Sequence, residues 1–402
     1  MKKLIPEFYE KNEALSRVSG ENAIPVQIDA EHTVYLDYQG WPTICKGDGD
    51  TLYASASLRI AHVDPFAVTA FFVSKDGGKT WSKPKIINDT PTDDRDTGIL
   101  YMGNGRLLVT FFTIPPKDFR EGGSYQRAWG LCSEELKAAK LKSWETLTPE
   151  QEEEINGAFV LLSEDYGETW TKPIRVPLTA PHGPTLMQDG KTLLFLGKAA
   201  HQERCAGFEN IGFGYHAAYS YDWGRTWEYG GTVPLPEVSG GWGYWEPHGI
   251  QLKNGKFLGA IRTGCIDNSV IKDNSNRSLG VMITHSEDGK NWTMGEKIPN
   301  VCGAPPHLLE LPSGAILLVY SHRMPHCGAR GRISYDGGYT WSDDEIIISE
   351  ATNPQNYDLG YPSTARLDDG TLVTTYYQAY KDEMKPTTLY TRWRLIETDE
   401  EI

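Results

Sequence analysis

Ser334-Tyr335-Asp336-Gly337-Gly338-Tyr339-Thr340-Trp341 is one of five near-copies of a single turn. The others are Ser74-Lys75-Asp76-Gly77-Gly78-Lys79-Thr80-Trp81, Ser163-Glu164-Asp165-Tyr166-Gly167-Glu168-Thr169-Trp170 and Ser220-Tyr221-Asp222-Trp223-Gly224-Arg225-Thr226-Trp227, with a shorter Ser286-Glu287-Asp288-Gly289-Lys290-Asn291-Trp292. Each follows a β-rich run such as Phe66–Val73 and precedes another short apolar run, which places it at a hairpin turn. The Asp can accept bonds from nearby backbone N–H groups, the Gly supplies a positive φ, and the Trp covers the hairpin with apolar area. Repetition on this scale indicates a propeller or a solenoid.

A second repeat runs in phase with the first. Tight turns at Asp48-Gly49, Asn104-Gly105, Asp189-Gly190, Asn254-Gly255, Ser313-Gly314 and Asp369-Gly370 each separate two apolar runs. Such dipeptides between alternating hydrophobics are strong hairpin signals. Six hairpins, five of them followed by the Ser-Asp-Trp turn, predict an all-β, six-bladed β-propeller of about four strands per blade. The polar segment 1–31 reads as an N-terminal arm and 32–402 as the propeller, with the strand at His32–Leu36 closing the last blade so that no edge stays open. The spacing breaks once, at about 115–155, where Cys132–Trp144 and Thr148–Ile155 read as helices. There Thr148 can cap and Pro149 suits the first helical position, so blade two carries a helical insertion.

Composition narrows the function. Lys and Arg number 39 against 54 Asp and Glu, a net charge of −15, with no basic cluster able to track a phosphate backbone, so nucleic acid is not an expected partner. Six cysteines are scattered without a C-x-x-C pair, and neither a His-x-x-x-His spacing nor an Asp-rich loop suggests a metal or other cofactor. The basic start Met1-Lys2-Lys3 has no apolar stretch behind it and no run is long enough to span a membrane. The expectation is a cytoplasmic chain, or a secreted or periplasmic one shorn of its signal, compatible with a homo-oligomer.

Chemistry is expected where the innermost strands begin, because those positions converge on the axis. They read Gly40-Trp41-Pro42, Asp93-Asp94-Arg95-Asp96-Thr97-Gly98, Pro181-His182-Gly183-Pro184, Trp245-Glu246-Pro247-His248-Gly249, Pro305-Pro306-His307 and Asp358-Leu359-Gly360-Tyr361-Pro362. A ring this polar and aromatic suits acid–base work on a polar ligand, although any single His is better explained by a bond to backbone.

With these residues in view, the turn resembles the Asp-box of the sialidase-like (BNR-repeat) propellers. The resemblance implies that Asp76, Asp165, Asp222, Asp288 and Asp336 are structural, since such boxes sit on the blade periphery. It also implies roles in the ring. Trp245-Glu246-Pro247 is similar to the segment with the family's catalytic Glu, and Gly360-Tyr361-Pro362-Ser363 to that with its catalytic Tyr. Asp64 of His62-Val63-Asp64 stands where the acid/base Asp is found, and Arg262 where one of three carboxylate-gripping arginines lies. Arg323 and Arg330 both stand near the place of another. The chain departs from the pattern in blade one, where Gly40-Trp41-Pro42 replaces Arg-Ile-Pro. Arg95 or Arg59 could approach instead, and Trp41 could offer a stacking face to a sugar.

The resemblance therefore implies an exo-acting glycoside hydrolase on a glycan ending in sialic acid or another acidic sugar. Glu246, Tyr361 and Asp64 would be catalytic; Arg262, Arg323, Arg330, Arg95, Asp96, Trp41, His62, His182, His248 and His307 would bind substrate. Two alternatives stand beside it. One is a lyase using His182, His248 or His307 with Tyr361 on a uronate-containing glycan, and the other a non-catalytic glycan-binding propeller.

Overall fold

The computed structural model describes residues 2–238, 242–265, 279–324, 326–351, 358–381 and 383–401. It forms a six-bladed propeller in which each blade is an antiparallel sheet, its strands laid down from the axis outward. Blade one is Tyr38–Lys46, Leu52–Arg59, Val68–Ser74 and Lys85–Asn88. Blade two is Asp93–Tyr101, Leu107–Ile114, Ala158–Ser163 and Ile174–Val176. In blade three the inner position is split between Leu178–Thr179 and Thr185–Leu186, around Pro181-His182-Gly183-Pro184, before Leu193–Ala199, Tyr215–Ser220 and Glu228–Thr232. Blades four, five and six begin at Trp242–Gln251, Pro306–Glu310 and Gly360–Arg366.

The Gly turns join first and second strands, and the Asp-boxes join third and fourth, as their sequence order requires. In the first box Asp76 Oδ1 accepts the Thr80 N–H at 2.9 Å and the Ser74 hydroxyl at 2.8 Å, while Oδ2 accepts the Thr80 hydroxyl at 2.6 Å. Burial pushes this carboxyl up, but those bonds outweigh it and hold Asp76 at about 2. Asp165, Asp222, Asp288 and Asp336 repeat the pattern. These carboxylates are spent on their own turns. The box tryptophans close the blades: Trp227 is buried with its ring 5.3 Å from Phe195. Trp227→Ala is expected to cost about 3 kcal/mol through the cavity left, read as a lower denaturation midpoint with activity retained in the folded fraction.

Closure differs from expectation. The fourth strand of blade six is Lys2–Ala14, paired antiparallel with Pro386–Glu401. Segment 1–31 is thus no mere arm, and Thr33–Leu36 pairs with Ile24–Gln27 in a separate hairpin. The N-terminal strand hides its nature because an outer edge favours charge and tolerates proline. Lys2, Lys3, Glu7, Glu10, Lys11 and Glu13 interrupt its alternation, and Pro6 lies within it. Phe8 nonetheless stacks on the fully buried Trp393 at 5.9 Å, and Glu10 pairs with Arg392 at 3.2 Å.

The insertion between Ile114 and Ala158 carries two helices, α1 (Glu134–Glu145) and α2 (Pro149–Glu154). Ser133 caps α1, and Thr148 with Gln151 forms a capping box at α2. The insertion docks through Trp144, fully buried, whose Nε1 donates to the Pro91 carbonyl at 2.5 Å, and through Trp129, packed on Phe66 and Phe119. Among the described residues no helix is long and apolar enough to cross a membrane.

Candidate active site

Four innermost strands carry the same irregularity at the same place. The ladder slips between Gly40 and Thr43, Arg95 and Gly98, Trp245 and Pro247, and Gly360 and Ser363. At each slip a non-glycine residue takes a positive φ: Trp41 (53°), Asp96 (50°), Glu246 (33°) and Tyr361 (56°). Pro42, Pro247 and Pro362 follow three of them and have no N–H to give the ladder, which favours a bulge there. A bulge re-aims its side chain, and each left-handed residue costs about 1–3 kcal/mol. Strain repeated in four blades marks the axial pocket as the place where side-chain direction matters more than stability.

Three of the sequence-derived residues meet directly. The Tyr361 hydroxyl donates to Glu246 Oε1 at 2.6 Å, and Arg262 Nη1 donates to both Glu246 oxygens at 2.7 Å. Burial raises the Glu246 carboxyl, but Arg262, Tyr361 and the nearby Arg323 outweigh it and leave Glu246 below its usual value. Tyr361 is raised well above the usual phenol range by burial and by the charges of Asp96 and Glu246. The resting pair is a neutral tyrosine on an ionised glutamate.

Asp96, expected to bind substrate, differs from the other carboxyls of its run in facing the cleft. Burial, opposed by Arg95 and reinforced by Glu246, pushes its carboxyl to about 7. Its Oδ1 is buried without a hydrogen-bond partner among the described residues. Asp94 is pushed equally high, to about 7, but is fully buried and bound to Asn88 and Thr90. Asp96 faces the cleft and Asp94 does not, a distinction the run Asp93-Asp94-Arg95-Asp96 conceals.

Asp64 requires a correction. Its Oδ2 accepts the N–H groups of Ile60 (3.0 Å) and Ala61 (3.2 Å), its Oδ1 that of Phe66 (2.7 Å), and it has no exposed surface. Both oxygens are spent on fixing the 60–66 loop, so an acid/base role does not fit. Trp41 is a second correction: it is 1 % exposed and offers no stacking face. The guanidiniums of Arg59 and Arg95 lie 4.2 and 4.3 Å from its ring centre, and both pair with Asp93. Trp41 forms an apolar floor with Tyr38, Tyr361 and Tyr377. Beside it Asp358 accepts from Tyr38 (2.9 Å) and Tyr377 (3.2 Å) and meets His62 Nδ1 at 2.8 Å. Asp358 lies three residues before Tyr361, and sequence alone gave it no role.

Of the two competing arginines, Arg323 lies at the pocket, its guanidinium 6.0 Å from the Tyr361 ring centre and its Nε bonded to the Leu359 carbonyl at 3.0 Å. Arg330 is buried away from it, bound to the carbonyls of Ala329, Ser349 and His326 and to Glu345. This removes Arg330 from the substrate-binding set.

His182, His248 and His307 cluster with ring centres 4.4–5.7 Å apart. Burial lowers all three, His248 to about 3, so they are neutral at ordinary pH. They line a cavity of about 350 Å³ built from the later halves of the inner strands, with Ile44, Leu186 and Leu309, rather than the space beside Glu246. Among the described residues no group of three or more His, Cys, Asp or Glu could hold a metal ion.

Asp96 and Glu246 share a cleft of about 540 Å³ with Trp245, Lys198, Phe213 and His201. That is the size of a small-ligand site. Its lining brings together a carboxyl raised to about 7 and an ionised carboxylate, and the latter is bonded to Tyr361, which lies outside that lining.

Two family models match: the BNR repeat-like domain over residues 139–374 and the BNR/Asp-box repeat over residues 72–83. A sialidase of Bacteroides fragilis (strain YCH46) is 25 % identical over 353 residues, covering 81 % of this chain; the chain spans 56 % of that relative's length. Among solved structures, a protein of unknown function from Dyadobacter fermentans DSM 18053 superposes with a TM-score of 0.67 at 19 % identity, covering 96 % of this chain and 98 % of the other. The intramolecular trans-sialidase from Ruminococcus gnavus gives 0.58 at 14 % identity, with coverage of 91 % and 95 %.

Proposed function

Since the chain belongs to the BNR repeat-like family of sialidase-like propellers, we propose that it is an exo-acting glycoside hydrolase that removes a terminal acidic sugar from a glycan. One observation carries this reading: the Tyr361 hydroxyl donates to Glu246 at 2.6 Å while Asp96 lines the same cleft as Glu246, with Glu246 held below its usual value and Asp96 raised to about 7. Such separation supports Glu246 as the base and Asp96 as the acid of one site.

In the first step the Tyr361 oxygen bonds to the anomeric carbon as its proton passes to Glu246, and Asp96 protonates the departing glycosidic oxygen. In the second, Asp96 takes a proton from water, the water oxygen displaces Tyr361, and Tyr361 recovers its proton from Glu246. A neutral nucleophile suits an anomeric centre beside a carboxylate, which would repel an anion; sialidases depart from most glycosidases in using a tyrosine this way. Arg262 and Arg323 supply two guanidiniums for the sugar carboxylate. Gly40 stands where the resemblance implies a third, which favours an acidic sugar other than sialic acid. The lyase reading needs histidines beside Tyr361, and the three candidates line a different cavity.

The pH profile tests the assignment. Asp96 must be protonated and Glu246 ionised, so kcat/KM should fall as pH rises through about 7 and, on the acid side, only below the ordinary glutamate range. Sialosides, uronides and neutral glycosides, with products followed by NMR, supply the substrate. An activity that keeps rising above pH 8 would remove Asp96 as the acid.

A further inference from the structure

The cleft continues past the two carboxyls to a wall that catalysis does not use. Phe213 is 79 % exposed, the most exposed of the large hydrophobic side chains described, and it lines the same cavity as Asp96 and Glu246. It sits between Gly212 and Gly214 on the loop joining the second and third strands of blade three. Lys198 Nζ lies 5.0 Å from its ring centre, and Trp245 lines the same cavity.

This wall is held in place. Arg204, on the same loop, pairs with Glu153 of α2 at 3.1 Å, and Arg175 donates to the carbonyls of Glu153 (3.2 Å) and Glu154 (2.8 Å). The blade-two insertion therefore braces the loop that presents Phe213. A single exposed ring is ordinary on a surface, but this one lines the cleft with an ammonium beside it, and such a ring face suits the C–H face and hydroxyls of a sugar.

Resting on the hydrolase reading, we infer that Phe213 and Lys198 form a subsite for the sugar on the leaving-group side of the scissile bond. The side follows from the lining. Asp96, the proton donor to the leaving oxygen, borders this cavity; of the nucleophilic pair only Glu246 reaches its lining, and the Tyr361 ring does not. The ring of the leaving sugar packs on Phe213, and Lys198 donates to its hydroxyls. The enzyme then prefers an oligosaccharide to a simple glycoside of the same terminal sugar.

The test compares sialyllactose and a uronate-terminated disaccharide with the methyl glycosides of the same terminal sugars. The ratio of kcat/KM for disaccharide over methyl glycoside should fall about tenfold or more in Phe213→Ala, through KM, as for a lost binding contact. Phe213→Trp should restore it. An unchanged ratio would overturn the subsite while leaving the hydrolase reading standing. Should the native protein cleave none of these glycosides, the hydrolase reading falls and binding decides alone. Saturation-transfer NMR must then show contact to the second ring, lost in Phe213→Ala; its absence in the native protein overturns the subsite.

Discussion

Tyr361→Phe should lower turnover by about 100-fold or more while leaving the fold intact, the scale expected when a positioned reactive group is lost. The variant removes one oxygen whose described partner is Glu246. The ring keeps its packing on Trp41 and Tyr377, at 6.2 and 5.9 Å, and the bulge that sets φ at 56° is unaffected. Glu246→Gln should show a comparable loss, because an amide cannot take the phenolic proton. It also weakens the bond to Arg262, whose charge is largely buried, so a lower melting temperature accompanies it. Tyr361→Phe is accordingly the cleaner variant. Full turnover in that variant would exclude a tyrosine nucleophile.

Asp96→Asn should depend on the leaving group. For a sugar or alkyl leaving group, which needs its proton, the rate should fall by about 100- to 1,000-fold. For an aryl glycoside with an acidic phenol the loss should be small. The alkaline limb near pH 7 should vanish in the variant. Asn tolerates the left-handed backbone at this position, so the bulge survives. Stability should move the other way. A carboxyl raised from 3.8 to about 7 binds its proton more tightly in the folded state. The native protein therefore loses stability as pH rises through that interval, and the loss is complete above it. The Asn variant lacks that loss and should melt higher than the native protein at pH 8, with the difference shrinking toward pH 4. Equal rate losses on aryl and alkyl glycosides would show that Asp96 is not the acid.

The propeller was legible because its turns are local chemistry. Asp76 and its four equivalents bond within their own turns, so each repeat declares itself within about eight residues. Glu246 and Tyr361 were singled out by the resemblance of Trp245-Glu246-Pro247 and Gly360-Tyr361-Pro362-Ser363 to family segments, and the structure brings the two side chains into contact. Contacts across the ring were not legible. Whether Asp64 or Asp96 faces the cleft depends on which carboxylate the local backbone consumes, and Ile60, Ala61 and Phe66 consume Asp64. Trp41 read as an open aromatic because nothing nearby in sequence announces that Arg59 and Arg95 would cover it. The closing strand escaped notice because an outer edge is built from charges, and its partner lies nearly the whole chain away.

The most direct test of the account is time-resolved NMR of the first product formed from a cleaved glycoside. Two displacements through Tyr361 should release a saturated sugar with the anomeric configuration of the substrate, before mutarotation. An inverted sugar would mean direct attack by water, and a product with a new double bond would mean elimination; either result contradicts the tyrosine mechanism.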